Sequence, residues 1–163
     1  MLLAKNKLEN KRNGGFKAAN TKEIKKLENK LEAIETKYVI RDEEFTVLDV
    51  HGFSQNYMYQ YSAGRTVKTY AYNIWINKFP TEEVPEVSFF DDVDFTKPIE
   101  LFINYTVKTD VDIANLDKSF IDMLFNRIWK IDDNIVKAVH RKSVATVDSY
   151  ADGKVGFYIR NVE

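Results

Sequence analysis

The chain has 163 residues, 24 Lys+Arg against 25 Asp+Glu, and a formal net charge of −1. That length predicts one domain with room for an appendage, and 44% hydrophobic residues, 13% of the chain being aromatic, are enough to build a core. The absence of cysteine excludes disulfides, zinc fingers, iron–sulfur clusters and thiol chemistry, and two histidines, His51 and His140, argue against a histidine-rich metal site or a Ser-His-Asp triad. Any chemistry therefore rests on carboxylates, lysines and a hard cation. No run approaches the ~18 apolar residues that span a bilayer. The start, MLLAKNKLENKRNGG, does not read as a signal peptide, so a cytoplasmic protein with no membrane partner is expected.

Charge is unevenly distributed. Residues 1–38 hold 10 Lys/Arg against 5 Glu, residues 39–109 hold 6 against 11, and residues 110–163 hold 8 against 9. A basic N-terminal arm ahead of an acidic-to-neutral body suits contact with a polyanion, although a solubilising tail has the same composition.

In chain order, residues 1–19 read as a mobile segment broken at Gly14-Gly15. A helix follows, with Asn20 as its cap and Glu23 completing a capping box. Ile24, Leu27, Leu31, Ile34 and Tyr38 form a narrow apolar stripe of about two heptads, suited equally to packing on its own domain and to pairing with a second copy. Phe45–Val50 is a β-branched run ended by Gly52 and reads as a strand. Residues 54–65 read as a polar, aromatic loop, 69–79 as a helix, and 80–98, with Pro80, Pro85, Pro98 and a run of acids, as a second loop. Residues 98–107 are the best strand in the chain. Leu116, Phe120, Leu124 and Ile128 then step by four and predict an amphipathic helix. Residues 135–147 and 155–162 read as two strands joined by a turn at Asp152-Gly153. This order predicts a mixed α/β (α+β) domain, one mixed sheet with helices packed on it, over residues 41–163, preceded by a helical arm over 1–40.

The chemically informative segment is 108–122, followed by Ile131-Asp-Asp-Asn134. Asp110 and Asp112 leave the end of the best strand at i, i+2, the spacing that points two side chains to one side of an extended chain. Asn115, Lys118 and Asp122 share one helix face near its N-terminus, where anions are favoured. Asp132-Asp133 arrives on the turn leaving the same helix. Carboxylates from the two turns converge in this reading around Mg²⁺ or Mn²⁺, which takes one or two carboxylates and keeps water or phosphate oxygens as its other ligands. Lys118 would hold the scissile phosphate or the leaving oxygen. The competing reading makes the aspartates helix caps, Lys118–Asp122 an ordinary i, i+4 pair and Asp-Asp-Asn a turn.

The joint pattern Asn115-Leu-x-Lys118-x-x-x-Asp122, Trp129-x-x-Asp132-Asp133-x-x-Val136 and Lys142 resembles the RusA family of Holliday-junction resolvases. Upstream, Ser54-x-Asn56-x-x-Tyr59, Gly64-Arg65 and Lys68-Thr69 resemble the family's first motif. The likeness covers roughly residues 45–162. It implies a RusA-like fold and a homodimeric endonuclease of phage or prophage type, which cuts four-way DNA junctions symmetrically with a divalent metal during recombination and repair. The implied location is a bacterial host's cytoplasm. By the family's signature Asp-x-Asp-Asn-Leu-x-Lys, Asp112 matches the first aspartate, Asn115 the asparagine and Lys118 the lysine. Asp132 and Asp133 match the later pair, with Asp133 favoured as the ligand.

The second aspartate of the signature falls on Ala114. Three explanations stand: a deliberate Asp→Ala replacement that lets DNA bind uncut, a two-residue insertion that makes Asp110-x-Asp112 the true pair, and a naturally weakened enzyme. The first keeps all downstream spacing and is preferred. The implied catalytic set is Asp112, Lys118, Asp132 and Asp133, with Asp110, Asp112 and Asp133 as metal ligands. The DNA contacts are Asn56, Arg65, Lys68, Asn115, Arg141 and Lys142, together with the arm lysines.

Tyr57, Tyr59 and Tyr61 can stack on an unpaired base, but at least two of them are expected to pack on the sheet edge. His140 reads as a surface residue, and Trp75 and Trp129 as core or dimer-interface residues. Two non-enzymatic alternatives use the same scaffold: a branched-DNA-binding module without chemistry, and an oligomerising interaction module built on residues 20–38.

Overall fold

In the computed structural model, residues 19–38 and 40–163 are described. The expectation for residues 1–18 lies outside them. The chain divides into two compact units between Glu44 and Phe45. In the first, helix α1 (Ala19–Tyr38) follows the predicted amphipathic segment. The backbone of Asn20 lies inside this helix. Ile24, Leu27 and Leu31 are among its less exposed positions. Ile34 and Tyr38 continue the stripe in sequence.

The second unit is mixed α+β. A four-stranded mixed sheet has the order β1-β6-β4-β5, built from β1 (Thr46–Leu48), β4 (Ile99–Lys108), β5 (Val136–Val147) and β6 (Lys154–Asn161). β4 runs antiparallel to β6 and parallel to β5. The two C-terminal strands are therefore not neighbours: each takes one edge of β4, and the turn at Tyr150–Asp152 carries the chain across. The segment expected to be a loop holds a separate two-stranded hairpin, β2 (Tyr59–Ser62) and β3 (Arg65–Lys68). Hydrophobic alternation did not reveal it, because seven of its eight strand residues are exposed. Its register comes from the two-residue Ala63-Gly64 turn, with φ of 51° and 79°, the left-handed pair that matches the twist of a tight hairpin.

Alternation along β4 sets the core. Ile99, Leu101, Ile103, Tyr105 and Val107 are buried, and the intervening residues are half-buried. Across β6, Val155, Phe157 and Ile159 pair with Tyr105, Ile103 and Leu101 and are also buried. Helix α2 (Tyr70–Lys78) contributes Tyr72 and Trp75, and the helix formed by α3 (Asp117–Ile121) and its continuation contributes Phe120, Met123, Leu124 and Phe125. Trp75 is thus a core residue, and Trp129 packs half-buried against Phe90, Phe95 and Phe125.

From Asp122 to Trp129 the helix widens to a π-helix, ending on left-handed Lys130 (φ 55°). The sequence step of four in Leu116, Phe120, Leu124 and Ile128 drifts around a 3.6-residue helix, and the wider turns absorb part of that drift. No described helix is long and apolar enough to cross a membrane.

Candidate functional site

A cleft of about 380 Å³ opens between the segment after β1 and the turn after β4. His51, Phe53, Ser54, Asn56 and Tyr57 line one wall, and Asp110, Val111, Asp112, Asn115 and Leu116 the other, with Tyr150 at the margin. The first wall is fixed from below. Trp75 Nε1 donates to the His51 carbonyl (3.0 Å), Ser119 Oγ donates to the Phe53 carbonyl (2.6 Å), and Phe53 stacks on Tyr72 at 5.4 Å between centroids. Gly52 allows this approach: a Cβ there would lie 2.8 Å from Leu116 Cδ1. Ser54 accepts from the Asn56 N–H and folds the segment into a single 3₁₀ turn. His51 Nδ1 lies 2.8 Å from the Gly52 carbonyl, which assigns the proton to that nitrogen. The walls also touch directly, Gln55 Nε2 reaching Asn115 Oδ1 at 3.4 Å.

On the second wall, Asp112 caps the 3₁₀ turn Ile113–Asn115, accepting from the Ala114 N–H at 3.0 Å. Its other oxygen lies 3.4 Å from Asn115 Nδ2. The capping role anticipated for these aspartates is therefore present, and Asp112 keeps an exposed position beside it. Ala114 is exposed on the same turn. Lys108 lies over the Tyr150 ring at 5.1 Å and brings a cation to the margin.

The other expected catalytic residues gather elsewhere. Lys118 Nζ pairs with Asp122 Oδ2 at 3.1 Å. Asn126 bridges onward, donating to Asp122 (3.4 Å) and accepting from the Asp133 N–H (3.3 Å). Asp132 caps the turn Asp133–Ile135 through the Asn134 N–H at 2.9 Å. Neither Asp132, Asp133 nor Lys118 lines the cleft. Among the described residues, no group of three or more His, Cys, Asp or Glu side chains stands together to hold a metal ion. The triad Asp110, Asp112 and Asp133 is therefore not assembled: Asp110 and Asp112 share the cleft, while Asp133 follows the π-helix. Asp110 and Asp112 are two carboxylates, the number that Mg²⁺ takes from a protein while it retains several water or phosphate ligands.

The expected DNA contacts also separate. Asn56 and Asn115 line the cleft, and Arg65 and Lys68 lie on the hairpin. Arg141 and Lys142 are consecutive on β5 and so face opposite sides of the sheet. The Arg141 guanidinium turns to the helix side and donates to Asp117 (2.5 Å), which also accepts from Tyr105 Oη (2.7 Å). Burial, followed by the neighbouring Asp117 charge, raises the Tyr105 phenol well above its usual value and keeps it a donor. Arg141 thus bolts the edge strand to the helix. His140 is a surface residue, as expected, held by Glu100 at 2.6 Å.

His51 and Tyr150 belong to the cleft, and Lys108 to its margin, without any local sequence signal. Only the turn that returns β6 to the sheet brings Tyr150 there. No family model matches the chain, and no curated protein matches it.

Proposed function

We propose that the chain is a metal-dependent, structure-selective endonuclease of the RusA resolvase type, acting on Holliday junctions and other branched DNA, with cleavage impaired by Ala114. One observation carries the reading. Ser54, Asn56 and Tyr57 from one stretch that resembles the family, and Asp112, Asn115 and Leu116 from another, lie about 60 residues apart in the chain and line opposite walls of one cleft. Asp110 and Asp112 would hold Mg²⁺ or Mn²⁺, which when bound activates water and neutralises charge on a phosphate. Asn56 and Asn115 supply amide groups to a phosphate or a cation ligand shell from both sides. Lys118 is paired with Asp122 outside the cleft, and Lys108, over Tyr150 at its margin, supplies a positive charge there. Paired symmetric nicks need two such clefts related by a two-fold axis, so the working form is a homodimer.

The test is a nicking assay on a four-way junction with Mg²⁺ or Mn²⁺, comparing this chain with its Ala114→Asp variant. The parent should bind the junction in preference to linear duplex and cut it poorly. The variant should cut at least about 10–100-fold faster, the range lost even when an outer partner of a metal ligand is removed. An inert variant, together with an Asp112→Ala change that alters nothing, would overturn the assignment. Junction binding by both proteins, unaffected by metal and without nicking, would favour the non-catalytic DNA-binding module instead.

A further inference from the structure

We infer that the β2–β3 hairpin is a stacking platform for the bases of unpaired DNA, placed at the mouth of the cleft. The inference rests on the proposed function only in taking DNA as the partner. Four tyrosines surround the hairpin with their rings in solvent: Tyr57 is 68% exposed, Tyr61 77%, Tyr70 80% and Tyr59 44%. Rings this exposed hide too little apolar area to serve the fold. The tyrosines expected to pack on the sheet edge do not, apart from the contact of Tyr59 with Tyr72 at 5.9 Å.

Register organises the surface. Tyr59 and Tyr61 are i, i+2 on β2 and share a face with their cross-strand partners Lys68 and Thr66. Tyr57 and Tyr70 flank its base, where Thr69 Oγ1 donates to the Tyr57 carbonyl at 2.6 Å and the Thr69 N–H to Met58 at 3.0 Å. Tyr57 also lines the cleft, so the platform and the carboxylates are continuous. The tight Ala63-Gly64 turn stiffens the tip, which lowers the ordering cost of binding.

Charge selects the partner. Residues 50–81 contain no Asp or Glu, although the chain carries 25, and they include Arg65, Lys68 and Lys78. Within this stretch aromatic faces interleave with cations and no carboxylate intervenes, while the acids Asp110 and Asp112 lie across the cleft. That matches a strand of nucleotides whose bases are open, because every base offers a π-face and every link a phosphate. A paired duplex hides those faces. A tyrosine-rich surface also suits protein partners, but such an interface has no need to exclude carboxylates.

The experiment uses the full chain without divalent metal and measures binding of a single-stranded oligonucleotide containing 2-aminopurine, against a duplex of equal length. The single strand should bind more tightly, and its 2-aminopurine fluorescence should be quenched. Tyr57→Ala and Tyr61→Ala should each weaken single-strand binding by roughly 5- to 150-fold. Tyr61→Phe should retain affinity, since the ring and not the hydroxyl carries the contact. Lys68→Ala should lower the slope of log affinity against log salt by about 0.7. Unchanged single-strand affinity in the Tyr57→Ala/Tyr61→Ala double variant, its fold verified by circular dichroism, would overturn the inference. So would tyrosine variants that change only the sedimentation mass of the free chain, which would mark a protein interface. Because no metal is present, failure of Ala114→Asp to cut leaves these outcomes unaffected. Loss of all DNA binding would remove both readings together.

Discussion

The two faces of β4 are built from one continuous strand and have opposite duties. On the helix side, Leu101, Ile103 and Tyr105 are essentially solvent-free and meet Phe120, Phe125 and Phe157 in one apolar core. On the other side, Glu100 binds both His140 (2.6 Å) and Arg160 (2.8 Å), while Phe102 stacks on His140 at 4.6 Å, lies beneath Arg160 at 4.8 Å and approaches Tyr158 at 6.0 Å. The first face removes apolar area from water and fixes the fold. The second is a charged and aromatic mosaic, whose half-exposed pairs contribute far less. Site-bearing loops leave the ends of the strands, so the helix-side core determines where the cleft stands.

Substitutions on the two faces should separate widely. Phe157→Ala, in the core, should destabilise the protein by about 3–5 kcal/mol in urea unfolding, the range for truncating a buried phenylalanine. A loss under 1 kcal/mol would mean that the helix-side face is not the principal core. Asp117→Ala removes the acceptor shared by Tyr105 and Arg141 and should cost about 1–3 kcal/mol. Arg141 is partly exposed and regains water, which holds the cost in that range. Tyr105→Phe should cost less, because Asp117 keeps Arg141.

The smallest effect belongs to the outer face and depends on pH. Burial raises the Glu100 carboxyl, but hydrogen bonds from Arg160 and His140 outweigh it and hold the group below its ordinary value of 4.5. A carboxyl lowered in the folded state contributes stability above its unfolded value, and that stability is lost as pH falls through the folded one. Glu100→Gln should therefore flatten the acid limb of the stability curve below about pH 4.5, by no more than about 1 kcal/mol. An unchanged acid limb would show that this cluster is not coupled to folding.

Much of the fold was legible where one physical rule dominated locally. The strand at 98–107 shows its period-two burial in the bare sequence, and the helices at 69–79 and 116–128 declare themselves by apolar spacing. The hairpin at 59–68 escaped because its side chains serve solvent, so neither face carries an apolar pattern. Its one local signal, Ala63-Gly64 between short runs of tyrosine and β-branched residues, is weak without an aspartate or asparagine at the turn. The convergence expected from the sequence, of Asp110 and Asp112 with Asp132 and Asp133, did not form; the facing of Ser54–Tyr57 with Asp112–Leu116, like the arrival of His51 and Tyr150 in the cleft, comes from contacts that no spacing encodes. Asp110, Asp112 and Asp133 looked equivalent as sequence, yet the π-helical segment and the caps at Asp112 and Asp132 assign them to different neighbourhoods.

By itself, the sequence determined the strand at 98–107, the apolar helices, the absence of thiol chemistry and the carboxylate-free tyrosine stretch, because these follow from composition and short-range period. Tertiary structure alone decided which edge of β4 each C-terminal strand takes, that Arg141 turns inward to Asp117, and which aspartates share a cleft. Those outcomes depend on pairing across dozens of residues and on burying one face of the sheet, energies that no local window of the chain contains.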